Sequence, residues 1–107
     1  MALRPLLRSV RIVGNHYRDA AAKAVHNALT KGEKLSLELE PTNEFDPYAV
    51  KVIAGGEHIA YIPRDISAMF YVSGVEAVEA VVTEVAQPKA GKSGVTVLID
   101  VGLNEGA

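Results

Sequence analysis

Two aromatic residues stand outside any pattern that would bury them. Tyr17 lies in Asn15-His16-Tyr17-Arg18 and Phe45 in Asn43-Glu44-Phe45-Asp46, each a polar loop segment beside a predicted strand. An exposed aromatic face is a platform for an unpaired base and contributes ~1–3 kcal/mol per base, whichever base it is. The plainer alternative is a loop side chain folded back onto the core. Other residue sets suggest other chemistry and carry it less far. Ala86-Gln87-Pro88-Lys89-Ala90-Gly91-Lys92-Ser93 fits a relaxed phosphate-loop pattern with Ala in place of the first Gly. Such a loop must run into a helix N-terminus. Here Ser93 is followed by Gly94 and the strand-like Val95-Thr96-Val97-Leu98-Ile99, and only 14 residues follow it. The segment reads as a hairpin turn.

The carboxylates Glu38, Glu40, Glu44 and Asp46 are the material of a divalent-metal nuclease. Glu38 and Glu40, however, are two apart in a strand pattern, the ordinary spacing of a solvent face. His16, His26 and His58 lack paired metal-ligand spacing. No serine has a nucleophile-elbow context. The expectation is therefore no catalytic residue, no metal and no cofactor, with the metal nuclease as the weakest of three readings.

The elements that must position these loops read mostly as strands. Leu7 to Val13 forms the first, ended by Gly14-Asn15. Asp19 caps a helix to about Leu29 with Ala21, Ala24, Val25 and Ala28 on one face, and Gly32 closes it. Leu35, Leu37 and Leu39 then alternate with Ser36, Glu38 and Glu40, a half-buried strand. Residues 41–47 carry turn chemistry at almost every position. Tyr48 to Ile53 and His58 to Ile62 make a hairpin about Gly55-Gly56. Pro63 opens a helix near Arg64 to Val72, stopped around Gly74. Residues 75–84 form a long strand, 87–94 a polar turn, and Val95 to Val101 the last strand before a frayed tail. Tyr48, Tyr61, Phe70 and Tyr71 fall in these patterns and read as core or core rim. The sum is mainly β, with about six strands and two short helices in a small curved antiparallel sheet or partly open barrel.

Length and composition bound the rest. The chain has 107 residues, 49% of them hydrophobic, no Cys and no Trp. That supports one domain over 1–107 with its core in 8–103, and excludes a motor ATPase or a two-domain oxidoreductase. Without cysteine there is no disulfide framework and no Cys-based zinc site. No apolar run approaches the ~20 residues of a membrane helix, and the N-terminal residues lack a signal-peptide pattern. The expected setting is cytoplasmic. Residues 1–37 carry seven bases and two acids, a balance of +5, whereas residues 38–107 carry four bases and eleven acids, a balance of −7. The net charge of −2 argues against coating nucleic acid by charge alone. A basic face beside Tyr17 is the expectation that remains.

Val13-Gly14-Asn15-His16-Tyr17, Asn43-Glu44-Phe45-Asp46-Pro47-Tyr48-Ala49-Val50-Lys51-Val52 and Ile59-Ala60-Tyr61-Ile62-Pro63-Arg64 together resemble a HIRAN domain over residues 10 to about 85. The resemblance implies an OB-like β-barrel that binds single-stranded DNA, with preference for a free 3′-hydroxyl end. In relatives joined to helicase-like ATPases, it also implies service in DNA repair and replication-fork remodelling. The chain looks like a free-standing prokaryotic or phage copy, nucleoid-associated if prokaryotic, with a helicase or nuclease as a potential partner. By the same resemblance, Tyr17 and Phe45 stack on terminal nucleotides and Asp46 accepts from the 3′-hydroxyl. An ionised carboxylate only accepts hydrogen bonds, so it satisfies a hydroxyl and repels a terminal phosphate. Arg11, Arg18, Lys51 and Arg64 are candidates for phosphates, and His16, Asn43 and Tyr61 complete the candidate site. Asp46 can also serve as an Asx turn before Pro47, a role compatible with the first. The sequence departs from the family pattern at Ala60, where glycine is usual, at Phe45, which lacks a tyrosine hydroxyl, and at His16, where a stronger base is expected. The alternative reading is a protein-interaction domain of the same fold, using an outward face of Val78, Ala80 and Val82.

Overall fold

The computed structural model describes residues 3–74, 78–90 and 94–104. In chain order these form β1 (Leu3–Arg11), a single 3-10 turn (Asn15–Tyr17), α1 (Ala20–Asn27), β2 (Lys34–Leu39), β3 (Val50–Ala54) and β4 (Glu57–Tyr61). Two short helices, α2 (Arg64–Ser67) and α3 (Met69–Ser73), precede β5 (Val78–Ala86) and β6 (Thr96–Asn104). The strands make one six-stranded sheet in the order β1-β6-β5-β2-β3-β4, and every pairing is antiparallel. Two-residue alternation decides which side chains enter the core. Leu35 and Leu37 of β2 are buried between exposed Lys34, Ser36 and Glu38. Val50, Val52 and Ala54 of β3 are buried between half-buried Lys51 and Ile53. With Ile59, Val82, Val97, Ile99 and Val101 they form a dry interior that Phe70 of α3 caps. Each of the Val, Leu, Ile and Phe side chains contributes roughly 1.5–3 kcal/mol by leaving water.

The sheet curls because β2 changes partners along its length. Its start pairs with β5 through Lys34 and Leu35, and the remainder with β3 from Ser36 to Leu39. Beyond β1 the chain crosses to the far edge. The Val13 amide donates to the Tyr61 carbonyl at 2.9 Å, and the Tyr61 amide returns to the Val13 carbonyl at 2.7 Å. This isolated bridge joins the sheet ends at one point and leaves a partly open, OB-like barrel.

Four expectations need correction. On α1 the inward face is Ala22 and His26, while Ala21, Ala24 and Ala28 are exposed. β1 begins at Leu3 and ends at Arg11, because register shifts between Pro5 and Leu7 and between Leu7 and Val10 break the alternation that marks a strand. Ser9, within the second shift, has a φ of 54°, and its amide donates to the Asp100 carboxylate at 3.0 Å. The second helix is split at Ala68 into α2 and α3. The face proposed for a protein partner belongs to the core, since Ala80 and Val82 are 0% and 1% exposed. The barrel curls β5 so that this side faces inward. Residues 75–77 of the expected long strand lie outside the described residues, as do Gly91, Lys92 and Ser93 of the phosphate-loop look-alike. That segment joins β5 to its antiparallel neighbour β6, with Ala86 opposite Thr96, so a strand rather than a helix follows it. Among the described residues no helix is long and apolar enough to cross a membrane.

Candidate nucleic-acid interface

Two loops meet beside the Val13–Tyr61 bridge. The first depends on Gly14, whose φ of 80° lies in the left-handed region. A Cβ there would also stand 3.2 Å from Cδ2 of Tyr61. The Gly14 carbonyl accepts from the Tyr17 amide at 3.2 Å, closing the turn. Asp19 ends the excursion by accepting the Ala22 amide at 2.9 Å, which caps α1. Between these anchors the Tyr17 ring points into solvent and is 90% exposed.

The second loop, between β2 and β3, is organised by Asn43. Its Oδ1 accepts the amides of Phe45 at 2.8 Å and Asp46 at 2.9 Å. Its Nδ2 donates to Glu40 Oε1 at 2.7 Å and to the Tyr61 hydroxyl at 3.2 Å, and that hydroxyl donates to the same Glu40 oxygen at 2.7 Å. Lys51 approaches Glu40 Oε2 at 3.8 Å. Burial pushes the Glu40 carboxyl upward, but the Asn43 and Tyr61 hydrogen bonds and the Lys51 charge outweigh it and hold Glu40 below the ordinary glutamate range. Burial and the same bond to Glu40 push the Tyr61 hydroxyl up. Tyr71 ties the base of the loop, accepting from the Glu40 amide at 3.0 Å and donating to the Ala49 carbonyl at 2.7 Å. Tyr48 packs edge-on against the Tyr71 ring, with centroids 5.5 Å apart.

This framework turns Phe45 outward, 85% exposed, and Asp46 inward. Asp46 Oδ1 accepts the Tyr48 amide at 2.9 Å, an Asx turn. Its other oxygen lies 4.0 Å from Arg64 Nε at the start of α2, and the side chain is 17% exposed. One oxygen fixes the turn and the other faces the Arg64 guanidinium. The two loops enclose a cleft of about 600 Å³ with Val13, Gly14, Tyr17 and Arg18 on one lip and Asn43, Phe45 and Asp46 on the other. Tyr61 and Arg64 complete it.

Seven of the ten candidate residues named from the sequence thus line one cleft: Tyr17, Arg18, Asn43, Phe45, Asp46, Tyr61 and Arg64. Arg11, His16 and Lys51 do not. His16 lies across the 3-10 turn in a separate hollow with Arg11, because successive residues of a tight turn point to different sides. Lys51 is drawn to Glu38 at 3.3 Å and to Glu40. The early bases share no single face either: Arg18 lines the cleft, Arg11 the separate hollow and Lys31 a third depression. Arg18 is anchored by donating from Nε to the His58 carbonyl at 3.1 Å. The His58 ring stands edge-on to Tyr61 with centroids 4.6 Å apart, and its buried Nε2 has no hydrogen-bond partner among the described residues. Burial, and then the Arg18 charge, keep its pKa below the ordinary histidine value. Glu40 is the residue that sequence reasoning missed. Assigned to a solvent face, its side chain is 23% exposed, against 58% for Glu38. The available signal was the Glu40-x-x-Asn43 spacing, which brackets a turn. Among the described residues, no three His, Asp or Glu side chains gather as a metal set.

A cleft with two aromatic lips, a half-satisfied carboxylate and two guanidinium groups can stack flat rings, accept from a hydroxyl and attract phosphate. Comparisons with known proteins bear on the family and the fold. The family model described as the HIRAN domain matches residues 7–101. A crystal structure of a protein from Lactobacillus plantarum is similar with a TM-score of 0.64 and 23% identity, covering 94% of this chain and 97% of that one. The crystal structure of the HIRAN domain of human HLTF is similar with a TM-score of 0.59 and 21% identity, covering 92% of this chain and 77% of that one. No curated protein matches the chain. With the family pattern spanning most of its length, and the fold shared, the chain belongs to the HIRAN domain family, a family known for DNA binding.

Proposed function

We propose that this chain is a non-enzymatic module that binds single-stranded DNA by its free 3′-hydroxyl end. The observation that carries the reading is the cleft itself, where Tyr17 and Phe45, 90% and 85% exposed, flank the inward-facing Asp46. Two such rings have no folding role at those positions that would explain their exposure, and they suit the faces of terminal bases without reading sequence. The Asp46 oxygen left over from the Asx turn accepts from the terminal hydroxyl, and Arg64 and Arg18 attract the adjacent phosphate. A terminal phosphate in place of the hydroxyl meets a carboxylate and is repelled. The setting that suits such a module is DNA repair or replication-fork processing, in which a bound end is passed to a helicase or nuclease partner.

Fluorescence anisotropy with otherwise identical single strands ending in 3′-hydroxyl or 3′-phosphate tests the reading. A hydrogen bond to a charged acceptor contributes about 1.5–3 kcal/mol, so the hydroxyl end binds roughly ten- to a hundredfold more tightly and Asp46→Ala abolishes the difference. Equal affinity for the two ends, or a preference that survives Asp46→Ala, sinks the end-recognition reading.

A further inference from the structure

On the far side of the 3-10 turn from the cleft lies a hollow of about 680 Å³, to which Arg11, Asn15, His16, Gln87, Lys89 and Thr96 contribute polar groups. No carboxylate is among its described lining residues, in a chain that carries more acids than bases overall. Among the described residues neither Arg11 nor Lys89 enters an ion pair. The hollow also has fixed walls. The side-chain Oδ1 of Asn27, at the end of α1, accepts the Val95 amide at 3.2 Å and pairs with His26 Nδ1 at 3.1 Å. This ties the residue before β6 to the end of α1, and a Cβ on Gly94 would sit in ordinary contact, 3.7 Å, with Asn15 Nδ2 of the 3-10 turn.

The chain weaves between the two depressions. Arg11 and Ile12 line the hollow, Val13 and Gly14 the cleft, Asn15 and His16 the hollow, and Tyr17 and Arg18 the cleft. One turn is therefore their shared wall. We propose that the hollow takes the backbone phosphates of the strand whose terminal nucleotides occupy the cleft. The inference rests on the end-binding reading for the direction of the strand and adds a second, sequence-independent contact to it. The chemistry selects backbone rather than base. The hollow offers a guanidinium fork, an ammonium, amides and a hydroxyl, the mixture that holds phosphate oxygens. Among its described lining residues the one aromatic ring is the His16 imidazole, against two large ring faces at the cleft. The turn is about 6 Å long at a rise of ~2 Å per residue. A stacked strand carries one phosphate per ~3.4 Å, so a strand leaving the cleft reaches the hollow within a few nucleotides.

The test is a length series of oligothymidylates with 3′-hydroxyl ends, titrated at several salt concentrations against the intact chain and its Arg11→Ala/Lys89→Ala variant. Each single-strand phosphate contact adds about 0.7 to the salt slope, so losing two lowers the slope by about 1.4 and weakens ten-nucleotide binding roughly tenfold near 0.15 M salt. The loss grows with length from the trinucleotide upward. A loss equal at every length, or an unchanged salt slope, overturns the proposal. If strands ending in 3′-phosphate bind as well as 3′-hydroxyl strands while the length-dependent loss persists, the end-recognition reading fails and the phosphate hollow stands.

Discussion

The rim and the floor of the cleft use aromatic residues in opposite ways. At the floor, Tyr61 and Tyr71 are bound through their hydroxyls into a network that reaches Glu40, Asn43 and Ala49. At the rim, Tyr17 and Phe45 spend no side-chain polar atom on the fold and stand almost wholly in water. The floor defines a loop shape, and the rim carries the surface that this shape presents. A hydroxyl matters at the floor because it closes a hydrogen-bond circuit. At position 45 its absence costs the loop nothing, since Asn43 holds that residue by its backbone amide.

The comparison can be broken by mutation. Asn43→Ala removes the acceptor for two backbone amides and a donor to Glu40, releasing Phe45 and Asp46 together. We expect about 3 kcal/mol or more lost from DNA binding, the joint value of one stacking face and one charged hydrogen bond, and about 1–3 kcal/mol from stability. Tyr17→Ala or Phe45→Ala should cost ~1–3 kcal/mol of binding while stability by denaturant titration moves by no more than about 0.5 kcal/mol. Should either rim variant unfold more easily than the Asn43 variant, the division of labour is wrong. The smallest effect concerns acid. Because the Glu40 pKa is lowered in the folded chain, its ionised form contributes stability above the ordinary glutamate range, and that contribution is lost as pH falls through the folded value. Thermal melts taken downward from about pH 7 should therefore show a shallower acid decline for Glu40→Gln than for the intact chain. Parallel curves for the two would remove Glu40 from the circuit.

How far these features could be read from the letters depends on the range of the interaction. Local signals were legible. Asp19 is the cap of α1, the Leu35-Leu37 alternation marks the inward face of β2, and Gly55-Gly56 lies between β3 and β4. Tyr17 and Phe45 stood out because a polar loop gives an aromatic residue no obvious place in the core. Long-range facts were hidden. The pairing of β1 with β6 joins the two ends of the chain, and two register shifts erase the periodicity of β1. Glu40 looked like Glu38 because both occupy the same face of an alternating strand. The hydrogen bonds from Asn43 and from the Tyr61 hydroxyl, the latter on a strand two hairpin partners away, distinguish them. The dispersal of the early bases was equally hidden, since a turn separates in space what is adjacent in sequence.

The bridge between Val13 and Tyr61 gives the barrel an unfinished seam, closed by two hydrogen bonds where a full strand pair would have several. The cleft straddles that seam, with one lip on each side. A strand end gripped by Tyr17 on one lip and Phe45 on the other would act as the missing stitches. Hydrogen exchange at the Val13 and Tyr61 amides then becomes a gauge of occupancy that needs no label on the DNA. The two amides slow together when the cleft fills, while those of the continuously paired β5 and β6 serve as the reference clock.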